Sequence, residues 1–482
     1  MRRVGIAILL IALPAGGWIL WRRFHQPPPT IRVLLLDPVG GDGLDWAMTQ
    51  SLSALLVDEL ETRSDLAVTS LPKLPEPFQP AGDLVIIRPT ALREGNYLRL
   101  ALEWAEVGVG RQGAWHLSDP SPGLPALTLR AAVSNLPFNL QHDSPSLLPE
   151  DPDHFWTFLK ADSSVYSNVN LNGALETLQV LCSQEPRCAL FQASLAHLDT
   201  LRILQDSHPL YGHVDMALHA SEQALLLLPG YPRALHFSGR LLSDQGHQDE
   251  ALHLLAEGLH LRPHSLNILF AIDYASRTAG LLDIALGSRE RITSLWAISP
   301  PPPPTGFTFL YAGRLAEFES SFQIPAGAPL DGFTEFNLGY AALIRNNPVL
   351  ARQHFLAAEQ DQTAEGQFRM LAKVFRFQLE GDKAGAREAL DLLDQSRMGL
   401  QVPDGEFTFT MSEAAAYLGE EGLAMDLAQR SFSQGFICDS WYTHSPFMGT
   451  LQKLPRWKSI LQHVEERRGR LAQLHHRADF GL

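Results

Sequence analysis

The sequence predicts three successive parts: a single N-terminal transmembrane helix, a small α/β domain, and an all-α repeat solenoid interrupted by a polyproline segment. Three observations carry this. Val4 to Trp21 is an 18-residue run without a charge, bracketed by Arg2–Arg3 and Arg22–Arg23. Residues 31–135 alternate β-type apolar runs with one strongly helical stretch. From Asp153 onward the apolar spacing becomes helical throughout, and small residues recur 34 positions apart.

At 1.5 Å per residue the first run spans roughly 27 Å, close to the ~30 Å of a bilayer's hydrocarbon core. Trp18 and Trp21 stand near one end, where indoles favour the interface. Further apolar residues and two arginines follow Ala15 and Gly17, so an uncleaved anchor over residues 1–23 is expected rather than a signal peptide. The flanking arginines balance and fix no orientation. Pro27 to Pro29 make residues 24–30 a stiff spacer.

Residues 31–140 form the expected α/β domain. Ile31 to Asp37 is a β-type run, followed by the turn Gly40 to Gly43. In Leu44 to Thr62, Leu44, Met48, Leu52, Leu55, Leu56 and Leu60 share one helical face. Leu66 to Ser70, Asp83 to Arg88 and Tyr97 to Glu106 read as strands, the last alternating Leu98, Leu100, Leu102 and Trp104. A short strand near Trp115 and a helix over Leu124 to Asn135 complete it. Gly108, Gly110 and Gly113 spell G-x-G-x-x-G, but they follow a strand and lead to no helix, so a hairpin turn is expected rather than a dinucleotide site.

The repeats are expected over 150–299 and 307–465, separated by a linker at 300–306 that contains Pro300 to Pro304. Pro229 and Pro263, Gly246 and Gly280, and Ala251 and Ala285 are each 34 residues apart. Gly339, Ala351, Phe355 and Ala358 keep offsets of 12, 4 and 3. With Gly239 these are the packing positions of closely approaching helix pairs, and they resemble the tetratricopeptide repeat. An earlier copy ending at Pro186 implies an insertion near Ile203 to Val214. Residues 466–482 read as a basic, His-containing tail.

The stretches IRVLLLDPVGGDGLDWAMTQSLSALLVDELETRSDLAVTS and LVIIRPTALREGNYLRLALEWAEVGVGRQGAWH resemble the TolB amino-terminal-like domain. Its pattern is strand, polar loop, helix, strand and a hairpin ending in an aromatic segment, here at Trp115. Joined to tetratricopeptide repeats, this layout resembles the periplasmic, sensory half of bacterial membrane-bound transcription activators and the carboxy-terminal half of some adenylate cyclases. The resemblance implies a bacterial inner-membrane protein with a periplasmic body, a cytoplasmic body being the alternative. Only Met1 to Arg3 precede the anchor, so any output is expected to pass through another protein.

A net charge of −15, from 53 acidic and 38 basic residues, argues against nucleic-acid binding. No H-E-x-x-H, G-x-S-x-G or G-x-x-x-x-G-K-[ST] occurs. His260 and His264 are separated by the helix-breaking Pro263. No catalytic residue, metal or cofactor is therefore expected. Cys182 and Cys188 flank a predicted turn: in an exported chain they are placed to form a disulfide, whereas otherwise Cys182 is a small buried residue on the face of Leu175 and Leu178. The expected role is a protein-interaction platform whose inner groove carries Arg240, Asp244, Asn337, Tyr340 and Arg345. The alternatives are a sensor of pH or of a small ligand at the α/β domain or its junction with the repeats, and an accessory subunit of a larger membrane complex.

Overall fold

In a computed structural model, the described residues are 32–40, 44–63, 66–71, 73–74, 84–107, 110–116, 125–136, 147–149, 151–167, 169–205, 213–297, 306–322, 330–361 and 366–482. The apolar run 4–21, the spacer and the polyproline segment lie outside them. No helix among the described residues is long and apolar enough to cross a membrane.

Strands β1 (Arg32–Leu36), β2 (Val39–Gly40), β3 (Ala67–Leu71), β4 (Leu84–Glu94), β5 (Tyr97–Val107) and β6 (Gln112–His116) form one mixed sheet. Its order is β3-β1-β4-β5-β6, with β2 pairing β4. β1 runs parallel to β3 and β4, while β4–β5 and β5–β6 are antiparallel. Helices α1 (Trp46–Arg63) and α2 (Pro125–Ser134) lie in one core with Val33, Leu35, Val85 and Ile87. Leu34, Leu36, Leu84 and Ile86 join the core of the helical array. Burial on both faces explains why β1 and the first half of β4 are unbroken apolar runs. Gly110 lies between β5 and β6 with φ +72°, so the glycine-rich stretch serves a hairpin.

The array begins with α3 (Pro152–Asp162), the short α4 (Ser164–Ser167) and α5 (Leu171–Gln184). The pairs α6 (Ala189–Gln205) and α7 (His213–Leu227), α8 (Pro232–Asp244) and α9 (Gln248–Leu261), and α10 (Leu266–Thr278) and α11 (Leu282–Leu295) follow. After the linker come a short pair, α12 (Phe307–Tyr311) and α13 (Leu315–Ser320), then α14 (Gly332–Ile344) with α15 (Pro348–Gln360). Next are α16 (Gly366–Leu379) with α17 (Lys383–Arg397), and α18 (Gly405–Leu418) with α19 (Glu421–Ser433). α20 (Asp439–His444) and the long α21 (Pro455–Leu474) end the array. The sequence boundary at 465/466 therefore falls inside a helix.

One register runs through these pairs. Gly246, Gly280, Gly313, Asn346, Gly381 and Gly419 all take positive φ in the turn between partner helices. Five residues later, Ala251, Ala285, Phe318, Ala351, Ala386 and Ala424 are fully buried. The 34-residue spacing of Gly246 and Gly280 thus reflects a left-handed backbone requirement. Close approach falls to Gly239 and Gly339: a Cβ on them would meet Leu255 at 2.8 Å and Phe355 at 2.9 Å. Phe355 and Ala358 are fully buried, as their repeat positions require, and Pro263 lies in the turn between α9 and α10.

The two helical blocks dock on one another rather than forming an open superhelix. Arg277 on α10 makes a bidentate ion pair with Glu406 on α18, at 2.8 and 2.7 Å. The Ile437 amide donates to the Thr278 carbonyl at 2.8 Å, and Gln248 donates to the Gly435 carbonyl. The expected tail is part of this closure. His475 contacts Asp249 at 2.6 Å, and Arg477 pairs with Glu290 at 2.7 Å.

Two expected outcomes test this account. A methyl group at Gly381 meets nothing within 4 Å, so Gly381→Ala isolates the backbone cost of φ +80°; about 1–2 kcal/mol should be lost in urea titrations, while Asn346→Gly gains stability. Arg277→Met leaves Glu406 unpaired in the core and should cost about 3–5 kcal/mol, and Arg277→Met with Glu406→Leu should recover more than half.

Candidate functional site

Three of the five residues expected in the groove, Asp244, Asn337 and Tyr340, are buried among the chain's own side chains. Asn337 is fully buried and donates to the Phe333 carbonyl at 2.8 Å. Tyr340 is buried, and its hydroxyl donates to Glu413 at 2.5 Å; Ser445 donates to the same carboxylate at 2.6 Å. Asp244 is buried and accepts from the Tyr274 hydroxyl. Only Arg240 and Arg345 reach the surface. Arg240 lies 3.7 Å from Asp244 and over the Tyr274 ring; Arg345 makes a bidentate pair with Glu319.

The disulfide is not formed: Cys182, Cys188 and Cys438 are free and buried. Cys182 faces the core of α5, whereas the Cys188 thiol donates to the Leu147 carbonyl at 3.4 Å. Burial pushes both thiols up to about 12, so neither is a ready nucleophile. Among the described residues no group of three or more His, Cys, Asp or Glu side chains is placed to hold a metal ion.

The concavity that stands out lies where the α/β domain meets the first helical block, a cavity of about 430 Å³. Its floor comes from two neighbouring parallel strands, Asp37 after β1 and Val68 to Leu71 in β3. α1 adds Gln50, Ser53, Ala54, Val57 and Asp58. The opposite wall is helical: His197 from α6, Arg233, His236 and Phe237 from α8, Asn267 and Phe270 from α10, and Trp296 at the end of α11. The His197 ring stacks on Phe237 at 3.8 Å, and Phe270 meets Trp296 edge-on at 6.2 Å.

The charges that dock the two walls are largely matched to one another. Arg233 pairs with Asp58 at 2.8 Å and with Asp162 at 3.3 Å, and donates to Ser194 at 3.0 Å. Tyr231 donates to Asp58, and Ser51 donates to Asp162. Burial opposes the Arg233 charge, but the Asp58 and Asp162 carboxylates more than offset it and keep the guanidinium protonated. Burial pushes Asp58 up to about 6 against the pull of Arg233, and pushes Glu61 up to about 8 with help from Asp58. His197 and His236 are both pushed down by burial, so their rings are neutral at pH 7. Asp37 accepts from Gln50 at 2.5 Å and from Ser53 at 3.0 Å.

Three buried polar atoms of the lining have no hydrogen-bond partner among the described residues: Thr69 Oγ1, His197 Nδ1 and Trp296 Nε1. Sequence reasoning singled out none of these residues, nor Arg233. The available signal was α1 itself, whose apolar face is joined by Ser51, Asp58, Glu61 and Thr62, all buried. Polar residues on every side of a helix that is also a core element indicate burial on more than one face.

No protein-family model matches the chain, and no curated protein matches it. Solved structures similar to it include a tetratricopeptide repeat protein from Parabacteroides merdae ATCC 43184, at 11% identity and a TM-score of 0.26, over 65% of this chain and 99% of that one. The assembly chaperone of RpL4 (Acl4, residues 1–338) is similar at 11% identity and a TM-score of 0.19, over 66% and 97%. Naa15/Naa10 bound to HypK-THB is similar at 14% identity and a TM-score of 0.24, over 68% and 63%. The constant turn-to-helix register described above identifies the array as tetratricopeptide-like from its own geometry.

Buried carboxyls give the fold a directional pH response. Glu413 is pushed up to about 8 by burial, against the hydrogen bonds from Ser445 and Tyr340. A carboxyl whose folded pKa exceeds its ordinary 4.5 contributes stability below that value and loses it as pH rises through about 8. Thermal melts of the wild type and Glu413→Gln from pH 5 to 9 should therefore diverge as pH rises, with the variant the more stable at high pH. The expected swing in relative stability is on the order of 2–4 kcal/mol.

Proposed function

We propose that this protein is a non-catalytic, ligand-responsive interaction platform: a small molecule enters the cavity between the α/β domain and the first helical block, and a protein partner reads the resulting state from the outside of the array. The cavity is the observation that carries this. Its walls belong to two different parts of the fold, so an occupant contacts both and biases how they sit together. The burial of Asp244, Asn337 and Tyr340 argues against an open groove at these residues, since a partner there would have to displace buried pairs such as Tyr340–Glu413.

The charge-free run Val4 to Trp21 supports a membrane tether, and the strand, loop, helix and hairpin order of residues 32–116 supports the TolB-like reading. That resemblance favours a periplasmic body. A second reading, a plain scaffold, draws on exposed apolar side chains of the outer helices: Val180 on α5, Leu226 on α7 and Leu261 on α9.

Crosslinking of the full chain in its native membrane distinguishes these readings. Filling the cavity with Ala54→Phe should reduce recovery of a discrete partner severalfold while Leu226→Glu and Leu261→Glu have lesser effects. The reverse pattern would select the plain scaffold and remove the ligand response. A phosphatase-type reporter fused after Leu482 should be active; an inactive fusion, with a cytoplasmic reporter active in its place, refutes the periplasmic assignment.

A further inference from the structure

We infer that the junction cavity takes a planar, non-anionic, heteroaromatic or amide-bearing molecule of nucleobase size, held by stacking and by hydrogen bonds. This inference rests on the ligand-responsive reading above and names the chemistry of the occupant.

Size comes first. A volume of about 430 Å³ lies at the lower end of small-molecule sites, which run from ~300 to ~1,000 Å³. The shape of the chemistry follows from the lining. Phe237, Phe270 and Trp296 supply aromatic surface on the helical wall. Such surface favours a flat partner through offset or edge contacts.

Charge selects against anions. The cation of the cavity, Arg233, is engaged by Asp58, Asp162 and Ser194. Both oxygens of Asp37 accept from neutral donors, Gln50 and Ser53. The two histidines are held neutral by burial. An anion would find its one cationic neighbour already paired with two carboxylates. A cation would meet the Asp37 carboxylate, whose charge its neutral donors do not cancel. An anion would leave water without a free counter-charge, which is costly.

The unpartnered atoms select for hydrogen bonding. Trp296 Nε1 is a donor only, so it calls for an acceptor such as a carbonyl oxygen or ring nitrogen. Thr69 Oγ1 donates or accepts, and His197 Nδ1 does either according to its tautomer. A heteroaromatic ring or primary amide carries acceptor and donor edges in one plane beside an apolar face. It therefore answers to both kinds of wall at once. A pure hydrocarbon would leave all three polar atoms without partners, and loss of such bonds is penalised more heavily than the gain from any one of them.

The test uses the full chain in detergent with nicotinamide, adenine and uracil as neutral probes, and nicotinate and orotate as their charged counterparts. Binding is read by saturation-transfer NMR and by thermal shift. At least one neutral probe is expected to bind, at least tenfold more tightly than either charged compound. Trp296→Phe should weaken that probe about tenfold while keeping the wild-type melting temperature within a few degrees, and Ala54→Phe should abolish it. If nicotinate or orotate binds as well as the neutral probes and Ala54→Phe removes it, the cavity is a ligand site but the non-anionic class is wrong. If a probe binds and Ala54→Phe leaves it unchanged, or if neither neutral nor charged probes bind at millimolar concentration, both the class and the ligand-responsive reading fall. Thr69→Val serves as a second variant should Trp296→Phe fail to fold, with the same tenfold expectation.

Discussion

Arg233 is the buried cation on which the junction of this protein depends. It sits on α8 of the helical array, yet its closest carboxylate, Asp58, belongs to α1 of the α/β domain, and its second, Asp162, to α3. Removing Arg233 would strand two carboxylates in the core, and truncating a buried pair costs far more than a surface one. Arg233 and Asp58 also line the cavity, so the interaction that joins the two parts also shapes the space between them. Docking and any response to a ligand are thereby made from the same residues.

A second buried network closes the array. Arg277–Glu406 bridges the two helical blocks, and the pairs Tyr340–Glu413 and Ser445–Glu413 fill the interior further on. An open solenoid stacks each repeat on its neighbours alone. Here α18 returns to α10, and the segment after α21 returns to α9 and α11. The consequence for function is direct. The surface available to a protein partner is the outer one, and the interior is committed to holding the closed form.

The two networks differ in the pH at which they respond. Asp58 and Glu413 are both pushed up by burial, but Asp58 has a guanidinium beside it while Glu413 is held by hydroxyl donors. Proton uptake at Glu413 removes a buried charge without breaking an ion pair. Both carboxyls therefore favour the packed form in acid and lose that contribution as pH rises, Asp58 through about 6 and Glu413 through about 8.

Local periodicity fixed much of this architecture before any tertiary contact is considered. Apolar runs and alternation located β1, β3, β5 and the helix of residues 46–63 to within a few residues, because each needs one or two faces of fixed period to bury, whereas β4 runs six residues past the expected Arg88 and β2 was not expected. Glycines at 34-residue spacing located the turns, because only a residue tolerant of positive φ serves there. Asn346 shows why that reading was incomplete: it takes the same left-handed conformation without being glycine. What local pattern does not carry is the sign of a polar residue's environment. Asp244, Asn337 and Tyr340 look like exposed groove residues on helix faces, and become core only because α18, α20 and their neighbours close over them. Arg233 and Asp58 are 175 positions apart, and no period links them. Their pairing, and the cavity beside it, exist only once the sheet has been laid against the array, since burial and charge complementarity are properties of the packed pair of surfaces and of neither segment alone.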